Sequence, residues 1–430
     1  MKIAKSLALL CLLLILAAAM GLASWVMVQA AGEPKTLDRN LEPAIIQGIQ
    51  VNALIGAPVQ HLFVYTFTGS GLAGRIPVQV DEVTPSGNYT GSEDNLLDAN
   101  DEIIFMVKDL GNRATDTTLL TSTLPISPTW YEIEVTDPLS PTKKGWAYLV
   151  RSGTPSPPGK DYVDYITATQ DISATTYKLG LATTYLGFDD LILNGSSTDI
   201  LDRTKLRVTL PLFGTQTENN LVPATLLIKD GPIRVILQQT ASAGGLAGLN
   251  NTYLAYGSLL QTTASVSSSF SLSKVRTSVD FSSAASGATF YNANVPAGVT
   301  INGSADSVPE TPLSKWFQVS HSTGRLVQVT DLAQVGGTTQ KNYYCEGAAE
   351  CDGTAQTGDS TSYGDSGFLI EGNVSKKFST KSILYLPTGS GPSNIGAAYE
   401  TYFFNPLQIC AAKQAEPCAE VFLPIILKGG

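Results

Sequence analysis

Histidine is nearly missing from this chain: His61 and His321 are the two in 430 residues. That scarcity, and the absence of a His-Glu-x-x-His motif, argues against the common metalloprotease chemistry. Neither a Gly-x-Ser-x-Gly elbow nor a phosphate-cradling glycine loop occurs. His61 opens an apolar run and His321 falls at an expected hairpin tip, so both read as surface histidines. Charge is also scarce. Charged residues make up 15% of the chain, against about 25% in ordinary soluble domains. The balance is acidic, with a net charge of −10. Nucleic acid selects clustered Lys and Arg, so it is not an expected partner. Calcium and neutral sugars are compatible with such a surface. Two further absences concern architecture. No amphipathic helix of useful length follows the N-terminal segment, and no fixed-period repeat suggests a propeller or solenoid.

What is present begins with an export signal. Lys2 and Lys5 precede an apolar stretch from Leu7 to about Met27, and Val28-Gln29-Ala30 offers the small residues of a cleavage site. Residues 1–30 are expected to be a signal peptide, with the mature chain beginning near Ala31. The apolar stretch is long for a signal, so an uncleaved anchor is the alternative and would be the chain's membrane contact. Either way the bulk of the chain is expected outside the cell or on its surface.

Cysteine usage agrees with export. Beyond Cys11 there are Cys345, Cys351, Cys410 and Cys418. Their spacing favours two short-range disulfides, Cys345–Cys351 and Cys410–Cys418, each contributing roughly 2–3 kcal/mol in the chain-entropy model. Zinc is the poorer reading, because the spacings are unusual and no histidine lies nearby.

The remaining pattern is that of strands. Ile76, Val78 and Val80 alternate with polar neighbours, as do Tyr131, Ile133 and Val135. Ile103 to Val107 is apolar on both faces, which suits a central strand between layers. Leu226 to Gln238 reads as a hairpin around Lys229-Asp230-Gly231-Pro232, and Trp316 to Val329 as another around residues 321–324. Val266, Phe270 and Leu272 occupy even positions, whereas Val275, Val279 and Phe281 occupy odd ones. A bulge or turn near Ser273-Lys274 would keep both sets on the core. The expected fold is all-β: an antiparallel β-sandwich architecture, with two packed β domains after the signal segment. Gly153 to Gly159 carries three prolines and two glycines, and reads as the linker. The expected units are 35–152 and 160–430. Residues 421–428 form an apolar tail, read as a last edge strand or as an attachment tail.

Two loops concentrate oxygen. Asp94, Asp98, Asn100, Asp101 and Glu102 fall just before the Ile103–Val107 run. No EF-hand register fits, since Ala99 or Ile103 would replace the required glycine. Calcium tolerates irregular loops, so this is either a calcium site or a solvated turn. Strand alternation makes Glu102 the least secure ligand. Asp352, Asp359 and Asp365 form a looser second candidate loop. Asp81-Glu82, and Asp199 with Asp202, are conceivable carboxylate pairs, although Arg203 and Lys205 beside the latter suggest local ion pairing. Tyr343, Tyr344, Tyr363, Tyr385, Tyr402, Phe403 and Phe404 could stack on sugars or fill a strand core.

Several segments resemble blocks of uncharacterised secreted bacterial proteins. They are RIPVQVDEV from Arg75, DANDEIIFMVKDLG from Asp98, WYEIEVTDP from Trp130, GWAYLVRS from Gly145, DILDRTKLR from Asp199 and GDSTSYGDSG from Gly358. Those proteins often end in a Tyr/Phe-Leu-Pro-x-x-Leu-Lys/Arg tail similar to Phe422–Lys428. The resemblance implies export and β-class, and no catalytic residues. Two functional expectations follow. One is a non-enzymatic structural, adhesion or glycan-contact role at the cell surface, with glycans or other surface proteins as partners. The other is a carbohydrate-active enzyme, a glycoside hydrolase or polysaccharide lyase, which would need two convergent carboxylates or a tyrosine with a basic partner.

Overall fold

The computed structural model describes residues 32–68, 73–114, 129–153, 158–243, 245, 247–391 and 393–414. The expected signal segment, the 421–428 tail, Cys418 and most of the 153–159 linker lie outside these residues.

The fold is all-β, as the alternation requires, and its sheets are antiparallel. Nine strands form the largest sheet. At its centre, in spatial order, are Arg234–Ala243, Ala247–Tyr256, Leu259–Ser268, Lys377–Tyr385, Gly324–Asp331 and Trp316–His321. One face of this sheet carries Val235, Leu237, Leu260, Val319 and Leu326 into the main core, against Leu179, Leu191, Leu193 and Phe281. The covering layer there includes a five-stranded sheet built around Leu201–Leu210, Leu272–Phe281 and Tyr363–Val374. Its Val208, Val275, Phe368 and Ile370 pack with Phe378 of the large sheet.

The opposite face of the large sheet meets a small three-stranded sheet whose central strand is Glu102–Met106. Ile104 and Met106 pack with Ile236, Leu254, Val327 and Tyr385. Ile103, Phe105 and Val107 point the other way, to Val64, Ile133, Val135 and Leu149 of a further five-stranded sheet. The doubly apolar run is therefore a strand between two layers, as expected.

Both expected hairpins form, pairing Ala224–Lys229 with Arg234–Ala243 and Trp316–His321 with Gly324–Asp331. The register change also occurs, as a shift between Leu272 and Lys274 against Tyr363–Val374. Phe270 is not in the core, however. It lies in the turn and is 39% exposed.

Three expectations change. The 76–80 strand is divided at Pro77, which has no N–H for a ladder. Ala73–Ile76 pairs with Leu62–Phe67, whereas Gln79–Asp81 pairs with Glu102–Met106 in another sheet. The 160–430 unit is not closed on itself, because Gln408–Lys413 pairs with Trp130–Asp137. A helix also forms at Gly396–Phe404. Its Ala397, Ala398, Tyr399, Tyr402, Phe403 and Phe404 leave no single apolar stripe, so periodicity could not reveal it. Gly396 lets it touch the large sheet: a Cβ there would fall 2.0 Å from the Trp316 ring.

Candidate functional site

The face of the large sheet that meets the three-stranded sheet is only partly covered. A cleft of about 260 Å³ remains between Ile45 and Glu102 of the small sheet and Leu254 and Ile383 of the large one. Its floor is a straight polar row. Gln238 is opposite Thr252, Thr252 opposite Thr263, Thr263 opposite Lys381, and Lys381 opposite Asp331. All five line the cleft. Five adjacent strands thus each contribute one side chain to the same face. With strands ~4.8 Å apart, the row extends on the order of 19 Å. Two residues further along these strands the row becomes Ile236, Leu254, Gln261, Ile383 and Val329. The cleft therefore joins a polar track to a mostly apolar one.

Glu42, Pro43, Ile45 and Gln47 form the facing wall, with the turn from Gly87 to Tyr89. Two buried arginines position the wall carboxylates. Arg39 donates from Nε to Glu42 Oε2 at 2.8 Å and from Nη2 to Oε1 at 2.6 Å. It also reaches Asp137 at 3.2 Å and the Asn405 carbonyl at 2.7 Å, which ties the wall to the end of the helix. Arg234 donates to Asp81 at 2.7 Å, to Glu102 at 2.6 Å and to the Tyr256 hydroxyl at 3.1 Å. Tyr89 donates to the same Glu102 oxygen at 3.0 Å.

Lys381 differs from these cations. Arg39, Lys205, Arg207, Arg234 and Arg276 are buried and each has a carboxylate within 4.0 Å. Among the described residues Lys381 has none within that distance, and its ammonium lies 5.8 Å from the Phe403 ring centroid. Burial pushes its ammonium down to about 8, although Asp331 and Glu42 pull the other way. Asp331 uses Oδ1 to accept from Ala333 N. The centre of the cleft thus offers one ammonium donor and one carboxylate without their own ion pairs, flanked by amides and hydroxyls. Both oxygens of Glu42 are held by Arg39. Burial nevertheless pushes that carboxyl above its ordinary range, with Arg39 opposing.

The first acidic loop is tied together largely by hydrogen bonds of its own. Asp101 is fully buried and accepts from Val83 N at 3.1 Å and Asp98 N at 2.7 Å. Asn100 donates to the Val83 carbonyl. Asp94 closes an Asx turn by accepting from Leu96 N at 2.8 Å. Glu102 points to Arg234 on the other side of the strand. Among the described residues no group of three or more His, Cys, Asp or Glu is placed to hold a metal ion.

The second loop is drawn apart. Asp359 is exposed, and its backbone N donates to Asp202. Asp352 lies 3.3 Å from Arg276. Burial would raise its carboxyl, but the Thr354 hydroxyl, Arg276 and Lys274 hold it below the ordinary range. Asp365 is buried 3.7 Å from Lys205. The Cys345–Cys351 disulfide is present, as spacing suggested. It closes the segment that places Glu350 against Lys205 at 3.2 Å, Arg207 at 2.6 Å and Arg276 at 2.7 Å. Arg207 also meets Glu218, and Lys205 meets Asp280 at 2.7 Å. The cations of this loop are the protein's own side chains.

Asp199 accepts from Leu191 N and Leu201 N, a backbone role. Asp81 belongs to Arg234. Tyr343 and Tyr385 are buried, Tyr343 beneath Arg276 and Tyr385 against Tyr399, so the late aromatics mainly pack. The cleft residues escaped sequence reasoning because they come from separate strands. A usable signal did exist: Arg234 interrupts the apolar run from Ile233 to Leu237, as Lys205 and Arg207 interrupt theirs. Such residues must find buried partners.

No family model and no curated protein matches the chain. Several solved structures show partial similarity. An α-mannosidase from Enterococcus faecalis V583 has a TM-score of 0.45 at 9% identity, over 89% of this chain and 45% of that one. An α-N-acetylgalactosaminidase from Bifidobacterium bifidum has a TM-score of 0.39 at 12% identity, over 54% and 38%. A heparan sulfate lyase mutant from Pedobacter heparinus has a TM-score of 0.35 at 10% identity, over 63% and 43%. The chain spans less than half the length of each.

Proposed function

We propose that this is an exported, non-enzymatic β-sandwich protein of the cell surface that holds a glycan in the cleft. The row Gln238–Thr252–Thr263–Lys381–Asp331 carries the reading. A sugar hydroxyl both donates and accepts, and this row supplies Asp331 as acceptor, Lys381 as donor, and amides and hydroxyls that do either. Leu254 and Ile383 offer apolar surface to the C–H side of a sugar ring. At about 260 Å³ the cleft falls just below the roughly 300–1,000 Å³ of drug-sized ligand pockets, which suits a short saccharide.

The enzyme alternative has weaker support. Hydrolysis at two carboxylates needs an acid and a base, each with an oxygen free for the substrate or water. Glu42, the cleft carboxyl that burial raises toward an acid's range, is clasped at both oxygens by Arg39 and has neither free for a substrate.

The test is an array of neutral and acidic oligosaccharides, followed by calorimetry on each hit. Binding without turnover is expected, with Gln238→Ala and Thr263→Val weakening it by roughly tenfold, the value of about one hydrogen bond. No saccharide binding would overturn the proposal, and cleavage of a bound glycan would replace it with the enzyme reading.

A further inference from the structure

One end of the sandwich is built unlike the rest of this acidic surface. Leu210-Pro211-Leu212-Phe213 is a tight turn in which Phe213 N donates to the Leu210 carbonyl at 3.2 Å. Proline at the second position and a positive φ at the third make it type II, where glycine or asparagine is expected. The chain instead places Leu212 there, at φ +71° and 98% exposed. A strained leucine that buries nothing does not stabilise the fold. Phe213 beside it is 49% exposed, and its ring centroid lies 5.9 Å from that of Phe270, which is 39% exposed.

The next turn adds positive charge. Phe270 N donates to Ser268 Oγ, and Ser268 N donates to the Lys376 carbonyl at 2.8 Å. Lys376 and Lys377 are exposed, and among the described residues neither has a carboxylate within 4.0 Å. Residues 210–214, 268–272 and 373–377, which make up the three turns, contain no acid. Glu371 nearby is already shared by Lys274 at 3.7 Å and Lys341 at 3.9 Å. In a chain of net charge −10, this end joins an apolar tip to two unneutralised lysines.

We propose that this tip docks on an anionic lipid surface. Leu212, Phe213 and Phe270 enter the boundary between headgroups and acyl chains, and Lys376 and Lys377 face the lipid phosphates. Apolar tips with adjacent cations bind interfaces by this combination of burial and charge. The contact is peripheral: among the described residues no helix is long and apolar enough to cross a membrane. It is independent of the glycan cleft.

Flotation of the purified chain with vesicles tests it. One set is phosphatidylcholine, and the other contains phosphatidylglycerol in addition. The chain is expected to float with the anionic set at least about tenfold more than with the neutral set. Leu212→Ser with Phe213→Ser should abolish flotation. Lys376→Glu with Lys377→Glu should remove the preference for anionic lipid. All four positions are exposed, and an unchanged melting temperature confirms folding. Absence of flotation, or flotation unchanged in the Leu212/Phe213 variant, overturns the proposal. So does self-association at the same concentrations that only that variant loses, because the tip would then pair with a second copy.

Discussion

Arg276 and Glu350 form a buried ion pair, 2.7 Å from Nη1 to Oε2, between the Leu272–Phe281 strand and the disulfide-closed segment above it. Glu350 also serves Lys205 and Arg207. One carboxylate is therefore shared by three buried cations, each of which also meets another: Asp280 and Asp365 for Lys205, Glu218 for Arg207 and Asp352 for Arg276.

Replacing Glu350 with Ala should cost about 3 kcal/mol in urea melts, the low end of the usual penalty for breaking a buried ion pair, because each cation keeps a second carboxylate. Reduction of Cys345–Cys351 should weaken the same contacts. Its cost and that of Glu350→Ala should therefore sum to more than the reduced variant loses. Strict additivity would separate the disulfide from the network.

Asp81→Asn should be similarly severe, again on the order of 3–5 kcal/mol. Arg234 is fully buried, and Asp81 is one of the two carboxylates that hold it. Because Arg234 joins the small sheet to the large one, chemical denaturation should also show earlier exposure of Tyr89 and Tyr256. A loss below about 1 kcal/mol would mean Glu102 alone suffices.

Lys381→Met should stabilise the protein near pH 7, by on the order of 2 kcal/mol, while removing glycan binding. The folded ammonium titrates at about 8 against an ordinary 10.5, owing to burial. Between these values the unfolded chain holds more protons, so wild-type stability gains as pH rises from 8 to 10.5. The difference between wild type and variant should shrink over that window. Destabilisation by the methionine at pH 7 would contradict this account.

Glu82 gives the opposite pH sign. Burial, then Asp101, Asp94, Glu93 and Asp98, push its carboxyl up to about 7 from 4.5. The folded state holds the extra proton between those values, so this contribution to stability falls as pH rises from 4.5 to 7. Glu82→Gln should flatten that part of the melting-temperature profile. The effect should be small, because Glu82 is only partly buried and solvent screens it. Melts in calcium and in chelator decide the metal expectation for this loop. Separated curves would place an ion there, and superimposable curves would leave a hydrogen-bonded turn.

The strands were largely legible because alternation is a local property. Val235 and Leu237 against Arg234 and Ile236 announce a strand with two buried faces, and Lys229 to Pro232 announce its turn. The helix at Gly396–Phe404 was not legible, because its contacts with Trp316 and Arg39 lie far away in sequence. The acidic loop was visible as a cluster, but its division was not. Asp101, in the turn, accepts from backbone N–H groups, whereas Glu102 opens the strand and turns to Arg234.

The sequence by itself determined an all-β chain, its main hairpins, the layer position of Ile103–Val107 and the short disulfide, all from period, spacing and turn chemistry. Tertiary structure alone decided the cleft. Gln238, Thr252, Thr263, Lys381 and Asp331 become neighbours only when five strands take one register, and a shift of one residue would turn each to the opposite face. Long-range register, rather than any local motif, therefore creates the candidate site.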